Sequence, residues 1–406
     1  MNNPQQTIQE LTVWTSTKCN LKCKYCFVYK LNEAQSHKTM TTKTADQLIK
    51  FAAKHLSPTG RIWFFGAEPL CNFEIIKYIV HKSRSEGYKW QFGATTNATL
   101  IDEEKVQWMK QANFGLLLSI DGLKDGHDAN RVYADGKGSW DDAWRGLTLV
   151  REVLNPTPQI RWTVTPSTLK GLATNIKTLV EKYGLTNMAV DFTYEVEWTQ
   201  TDLATLKEEL EVFGRYYHKW MLEGKPVFSM FMRDANAAIT QTVRPWCNRC
   251  GLGNGGIGVD YDGTLYPCHR FIDSHKIQIG DIYNGFNAMH KQWIEDWRKI
   301  VPYCEEPKKC LNCNYKMACS GGCIAMNYDL FGTPHINVES LCTIKQLIVD
   351  TLGELCRSLQ TNPTFQKQYQ KTAAASPPPS PNFSVSPHRP CGCSDKTHQQ
   401  IVEIQK

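Results

Sequence analysis

No stretch of this chain stays apolar for the roughly 18 residues that suggest a membrane-spanning helix, so a membrane protein is not expected. No Lys/Arg-rich run stands out either, and a net charge of +6 over 406 residues is mild. Nucleic acid is therefore not the leading partner. The first residues, Met1 to Gln9, are polar and lack the charged-then-apolar layout of a secretory signal. The expected compartment is the cytoplasm, and that changes how the cysteines are read. There are 16 of them, and in a reducing compartment such a number points to metal ligation rather than disulfides. The hydrophobic share of 41% is enough for a sizeable core, and the length suggests two or three domains.

The run Cys19-Asn20-Leu21-Lys22-Cys23-Lys24-Tyr25-Cys26 places three cysteines at C-x3-C-x2-C just after the apolar-rich Leu11 to Trp14. Thiolates are the usual ligands of iron–sulfur clusters, and three of them on a four-iron cubane leave one iron for a non-protein ligand. The aromatic flank of Tyr25, Phe27 and Tyr29 would help keep such a site dry. A zinc site is the alternative, although zinc sites usually pair one C-x2-C with a second. With this spacing the sequence resembles the radical S-adenosylmethionine (SAM) family. The resemblance implies that the open iron chelates the amino and carboxylate groups of SAM. It also implies that an electron from the cluster breaks a carbon–sulfur bond and releases a 5′-deoxyadenosyl radical, with a flavodoxin or ferredoxin as electron donor. The cofactor carries the hard chemistry, and the protein positions and shields it.

Six β-like runs alternate with helical patterns up to about residue 195: Glu10–Thr15, Arg61–Phe65, Trp90–Thr95, Phe114–Ile120, Gln159–Thr165 and Met188–Thr193. Between them lie Thr44–His55, Phe73–Ser85, Glu103–Gln111, Trp140–Leu154 and Leu172–Lys182. Such alternation predicts an α/β fold with a parallel sheet. The resemblance implies the partial (β/α)6 TIM-like barrel of the radical SAM family over residues 1–195. Periodicity alone does not separate that barrel from an open doubly wound sheet. In parallel barrels active-site groups gather at the carboxyl ends of strands, and the next motifs fall there.

Gly66-Ala67-Glu68-Pro69 directly follows the second run and looks like the family's G-G-E-P motif, which meets the amino group of SAM. Glycine lets a backbone approach closely, and a carboxylate or carbonyl accepts from an ammonium. Ala67 departs from the pattern, and an ordinary turn after a strand would read the same way. Thr95-Thr96-Asn97 closes the third run and Ser119-Ile120-Asp121-Gly122 the fourth. Both resemble family positions that line the SAM ribose and methionyl carboxylate, though Asp121-Gly122 is also a plain turn signal. The resemblance thus implies cofactor contacts at Tyr25, Gly66, Ala67, Glu68, Pro69, Asn97, Ser119 and Asp121. His127, Asp128 and Arg131 belong to the same block, and either face the substrate or hold a loop.

Residues 196–240 read as a helical bridge: one long helix, Thr201 to Leu222, and a connector. Glu208, Glu209 and Glu211 are expected on a solvated face, and Trp198, Trp220, Phe228 and Phe231 in packing. A second cysteine system then begins. Cys247-x2-Cys250 leads through a hairpin signal at Asp262-Gly263 to Cys268, followed by Cys310-x2-Cys313-x5-Cys319-x3-Cys323 and Cys342. This order resembles the SPASM domain, an extension of radical SAM enzymes that usually holds two auxiliary [4Fe–4S] clusters, here over residues 241–360. The resemblance assigns Cys247, Cys250, Cys268 and Cys323 to one cluster and Cys310, Cys313, Cys319 and Cys342 to the other. With the Cys19, Cys23 and Cys26 cluster that makes three. Structural zinc on the same cysteines is the competing reading, with Cys304 a spare ligand. Cys71 and Cys356 are expected as buried small hydrophobes. Residues 361–406 read as a disordered Pro/Ser-rich tail carrying Cys391 and Cys393.

The SPASM resemblance implies a ribosomally made precursor peptide or protein as substrate, with crosslinking, oxidation or excision after hydrogen abstraction. The layout also suits the splicease branch, which excises a tyrosine-derived piece. Sulfatase-maturating relatives carry a basic aspartate directly after the cysteine matching Cys268. His269 stands there instead and is the catalytic candidate, since histidine can take a proton near neutral pH. A sulfatase-type or quinocofactor-type maturase is the first alternative, and a non-catalytic iron–sulfur electron carrier the second. Met1 to Lys18 is short for a leader-binding domain, so a separate leader-recognition protein is the expected partner.

Overall fold

The computed structural model describes residues 8–28, 37–240, 255–272, 277–288, 290, 313–319, 322–332 and 338–363. Strand and helix alternate through its first half. β1 (Ile8–Trp14) leads to α1 (Thr42–His55), β2 (Leu56–Phe65) to α2 (Phe73–Ser85) and β3 (Gln91–Thr96) to α3 (Glu103–Gln111). β4 (Phe114–Ser119) leads to α4 (Lys124–Asn130) and α5 (Trp140–Val153), β5 (Gln159–Val164) to α6 (Leu172–Glu181), and β6 (Asn187–Phe192) to α7 (Gln200–Leu222). Local chemistry sets the helix starts. Thr41 accepts from the Thr44 N–H ahead of α1, Asp102 from the Lys105 N–H ahead of α3, and Thr199 with Asp202 forms a reciprocal capping box on α7.

The six strands lie side by side in sequence order, each parallel to the next. A doubly wound sheet would reverse its order at a switch point. The observed order instead suits a progressively wound TIM-like half-barrel. Alternate residues face opposite ways. Leu11, Ile62, Phe64, Ala94, Leu118 and Ile160 are fully buried in the main hydrophobic core. The intervening residues carry polar contacts on the other face: Trp63 Nε1–H donates to Thr95 Oγ1 at 2.9 Å, and Arg161 pairs with Asp191 at 2.7 Å. Gly93 is required there because a Cβ would lie 2.2 Å from the Trp63 ring.

The expected connector after α7 is a strand and a helix. β7 (Phe228–Ser229) adds in parallel to β6, and α8 (Met230–Thr240) follows. Trp198, Trp220 and Phe231 are buried as expected, and Phe228 is half-buried. Glu209 departs from the expected solvated face. Its carboxylate accepts from the Gly171 N–H at 2.7 Å and the Ala173 N–H at 2.8 Å, capping the start of α6.

The Asp262-Gly263 turn joins β8 (Gly256–Val259) to the antiparallel β9 (Thr264–Tyr266) as predicted. β10 (Gly280–Asp281) and β11 (Gly285–Phe286) extend it. These strands are not a separate sheet: β8 pairs in parallel with β1, giving one eleven-stranded sheet in the order β11-β10-β9-β8-β1-β2-β3-β4-β5-β6-β7. The hairpin therefore lies directly beside the strand that feeds the first cysteine loop. α9 (Lys316–Cys319), α10 (Ile324–Phe331) and α11 (Glu339–Gln360) follow. α11 packs its buried Ile344, Ile348, Leu352 and Cys356 into the core that also holds Phe213 and Phe231. Cys356 is thus the buried hydrophobe expected, whereas Cys71, in the single turn Pro69–Asn72, is only half-buried. Among the described residues no helix is long and apolar enough to cross a membrane.

Candidate active site at the carboxyl ends of the strands

The loop after β1 carries Cys19, Cys23 and Cys26, all half-buried. It is held by bonds within itself and by residues that follow β3. Cys19 Sγ accepts from the Leu21 N–H at 3.4 Å, and the Cys26 N–H bonds to the Cys23 carbonyl at 3.0 Å. Asn20 joins a closed network: Asn97 Nδ2–H donates to Asn20 Oδ1 at 2.9 Å, Asn20 Nδ2–H to Thr99 Oγ1 at 2.8 Å, and Thr99 Oγ1–H to Asn97 Oδ1 at 2.7 Å. The Asn97 side chain therefore clamps the cysteine loop. Burial, with Glu68 nearby, raises the Cys19 thiol pKa, and burial pushes Cys23 up to about 11.

Gly66, Ala67, Glu68 and Pro69 follow β2. Gly66 has φ +117°, and a Cβ there would lie 2.8 Å from the Trp14 indole, so only glycine fits this close pass. The Glu68 carboxylate is turned inward and is nearly fully buried. It accepts from Thr96 Oγ1–H at 2.7 Å, the Asn97 N–H at 2.8 Å and the Leu70 N–H at 3.1 Å. Burial raises its pKa, against those hydrogen bonds. Its side chain fixes the loop to β3.

Asp121 is no plain turn residue. It is 1% exposed and accepts from Tyr25 Oη–H at 2.5 Å, the Thr163 N–H at 2.9 Å and Arg131 Nη2–H at 3.2 Å. Arg131 Nε lies 2.9 Å from Asp121 Oδ2, and its guanidinium stands 5.4 Å from the Tyr25 ring centroid. Burial opposes the Arg131 charge, but the Asp121 carboxylate outweighs it and raises the guanidinium's pKa. His127 holds the loop. Its Nδ1 accepts from the Asp121 N–H at 3.2 Å, and its Nε2 lies 3.1 Å from Ser139 Oγ, which itself donates to the Arg131 carbonyl. That leaves His127 the donor to Ser139 as a neutral imidazole, and burial pushes its pKa down to about 2. Ser119 ends β4 half-buried, opposite Arg161 in register.

The second cysteine system meets the first on an apolar wall. Trp14, Val28, Tyr266, Phe271, Ile272, Ile277, Ile324 and Ala325 are buried together, and Cys26, Phe27, Phe65, Ala67, Cys268 and Cys323 pack against them. The structure thus brings Cys268 and Cys323 to the same wall as Cys26. The His269 ring lies tilted against Phe65, at the end of β2, with centroids 4.5 Å apart, and burial pushes its pKa down to about 4. Cys319 and Cys323 share Met326, Val338 and Leu341 as neighbours. Cys342 sits in the first turn of α11, where its N–H bonds to the Val338 carbonyl at 3.3 Å. Cys247, Cys250, Cys304, Cys310, Cys391 and Cys393 lie outside the described residues.

Sequence reasoning passed over a partly buried charged network that joins β5 and β6 to α8 and α11. Arg161 pairs with Asp191, which accepts from Tyr194 Oη–H at 2.6 Å, while Lys345 of α11 and Arg233 of α8 both reach Asp234, at 2.7 and 2.8 Å. Burial alone would raise the Asp191 pKa, but Arg161 and Lys345 hold it at about 2. The available signal was a lone charged residue, Arg161, inside a strand.

Residues 15–169 match the Radical SAM superfamily. The chain carries a radical SAM domain. The cysteine-type anaerobic sulfatase-maturating enzyme of Clostridium novyi is 22% identical over 336 residues, covering 76% of this chain and 85% of that protein. The radical SAM cyclopropyl synthase TigE of Paramaledivibacter caminithermalis is 20% identical over 377 residues, covering 86% and 75%. The solved structure of native anSMEcpe with bound AdoMet and Cp18Cys peptide shares the fold, with a TM-score of 0.72 at 21% identity, over 86% of this chain and 98% of that one.

A radical SAM domain implies a [4Fe–4S] cluster and SAM, and its residues here fit them. Three thiols lie on one clamped loop, beside a buried Trp14 indole Nε1–H that has no partner in the protein. No group of three or more His, Cys, Asp or Glu that would hold a single metal ion occurs among the described residues. A cubane is compatible with that, since its thiolates bind separate irons and need not converge on one point.

Proposed function

We propose that this chain is a radical SAM maturase of peptides, with a SPASM-type C-terminal region holding two auxiliary [4Fe–4S] clusters. The observation that carries the reading is the convergence of Cys268 and Cys323, from separate segments, on the wall shared with Cys26 and Phe65. When bound, the cluster and SAM supply the 5′-deoxyadenosyl radical. Cys19, Cys23 and Cys26 hold that cluster. Asn97 and Glu68 keep their loops in register, and Gly66 and Ala67 present backbone carbonyls to the ammonium of SAM. Asp121 fixes Tyr25 and Arg131 over the cysteine loop, with Ser119 beside them on the strand. The apolar wall of Trp14, Phe65 and Phe271 keeps water from the reacting centre. The precursor peptide, a separate leader-recognition protein and a flavodoxin or ferredoxin are the partners of this reading.

Anaerobic reconstitution is expected to load about twelve irons per chain, four for each of three cubanes. A value near four with tightly held zinc would replace the auxiliary clusters by structural zinc. Incubation with candidate precursor peptides, with products read by mass spectrometry, then tests the substrate class. Similarity to sulfatase-maturating enzymes supports a second reading, formylglycine formation on a sulfatase, but His269 stands where the family resemblance implies an aspartate in such enzymes. A sulfatase-derived peptide in the same assay separates the two.

His269 lies on the same wall, against Phe65. If it moves a proton on the substrate, His269→Ala is expected to slow product formation by about 10²-fold or more at unaltered iron content. An unaltered rate would assign the ring to packing.

A further inference from the structure

Arg270 is an unusual neighbour for two cysteines. It sits in the single turn His269–Phe271 that Cys268 caps, and its guanidinium carbon stands 4.1 Å from the ring centroid of Phe27, one residue past Cys26. One end is satisfied: Nη2–H donates to Glu195 Oε1 at 2.8 Å. The Nε–H is different. It is buried and has no hydrogen-bond partner in the protein. A buried donor left unmade is costly, more so on a charged group. Its charge lies close enough to Cys323, Glu195 and Cys268 to interact with each. Asp329 of α10 feels the same charge. Cation, orphaned donor and two cysteines are thus assembled in one place, on the wall that also carries Cys26.

We infer that Arg270 aims its Nε–H and its charge at the auxiliary cluster held by Cys268 and Cys323, and so raises that cluster's reduction potential. The inference rests on the auxiliary cluster proposed above. Its physics is general. Hydrogen bonds to cluster sulfurs and net charge around the cluster set its potential. Reduction adds one negative charge, which a nearby cation stabilises more than it stabilises the oxidised form. The stacking on Phe27 holds the guanidinium between the two cysteine systems, where only an arginine combines a flat face with a fixed fork of donors.

The test is a redox titration followed by electron paramagnetic resonance, on the full reconstituted chain with Cys19, Cys23 and Cys26 replaced by alanine so that only auxiliary signals remain. Arg270→Gln is expected to lower one auxiliary midpoint so that the ratio of reduced to oxidised cluster falls about tenfold at fixed potential, about 59 mV for one electron. The other auxiliary midpoint should not move. Arg270→Lys keeps the charge and should fall between. Iron content is measured on every sample. A full iron load with both midpoints unchanged in Arg270→Gln overturns the inference while the cluster assignment stands. An iron-poor chain with no auxiliary signal, before any change at Arg270, removes both. Should Arg270→Gln fail to load its cluster, the Arg270-intact chain decides the matter. With guanidinium-labelled ¹⁵N-arginine, a nitrogen coupling to the reduced cluster supports the contact, and its absence overturns it.

Discussion

Replacing Cys19, Cys23 and Cys26 together by alanine is expected to abolish 5′-deoxyadenosine formation under dithionite, while iron falls only from about twelve to about eight per chain. The first half follows from ligand count. Three thiolates leave one iron open to SAM, whereas each auxiliary set proposed here offers four cysteines and closes its cluster. The second half follows from topology. The described auxiliary cysteines belong to segments that have anchors besides the wall shared with the first loop: Cys268 follows the β8–β9 hairpin, Cys323 starts α10, and Cys342 lies on α11, whose apolar face is buried in the main core. Asn97, Thr99 and Glu68 bond to backbone and to each other, so the mutated loop loses its cluster without dismantling the strand ends. Liquid chromatography of the nucleoside and an iron assay on one preparation check both halves. Undiminished 5′-deoxyadenosine would move the radical site elsewhere, and iron falling to near zero would make the auxiliary clusters depend on the first.

Asp121→Ala is expected to destabilise the barrel by about 3–5 kcal/mol, because it strands Arg131 as a buried and unpaired cation. Asp121 is 1% and Arg131 7% exposed, and the pair also carries Tyr25 and the Thr163 N–H. Arg131→Ala alone should be similarly severe. The double variant should cost clearly less than the sum, by about 0.5–3 kcal/mol, since neither charge is then left alone. Urea midpoints of the three variants measure this. A loss below about 1 kcal/mol for Asp121→Ala would mean that water reaches the pair, and that Asp121 is closer to an exposed ion pair than to a buried hub.

Much of the fold was legible in the chain. The six strands and the helices between them fall within a few residues of the expected bounds because alternation and 3.6-residue periodicity are local signals. The three-cysteine loop, the Gly66 pass and the Asp262-Gly263 hairpin were legible for the same reason: each depends on a few adjacent residues and on backbone sterics. Strand order was not, since a barrel and a doubly wound sheet share one periodicity. Nor was the parallel pairing of β8 with β1, which joins segments about 250 residues apart and merges what looked like two domains into one sheet. Side-chain roles depended on that geometry too. Glu68 and Asn97, expected as cofactor contacts, also clamp loops. Asp121, expected as a cofactor contact with a plain turn as the alternative, is a hub for Tyr25, 96 residues away, and Thr163, 42 residues away. Arg161 with Asp191, and Arg270 with Glu195, gave no sequence signal as pairs, because a hydrogen bond between distant residues exists only once register and strand order bring their atoms within 3 Å or so. The chain by itself determined where its cysteines stand and which elements carry them; the tertiary structure alone decided which carboxylates hold loops and which buried cation, Arg270, keeps a donor without a protein partner, since burial and partnership are properties of the packed chain.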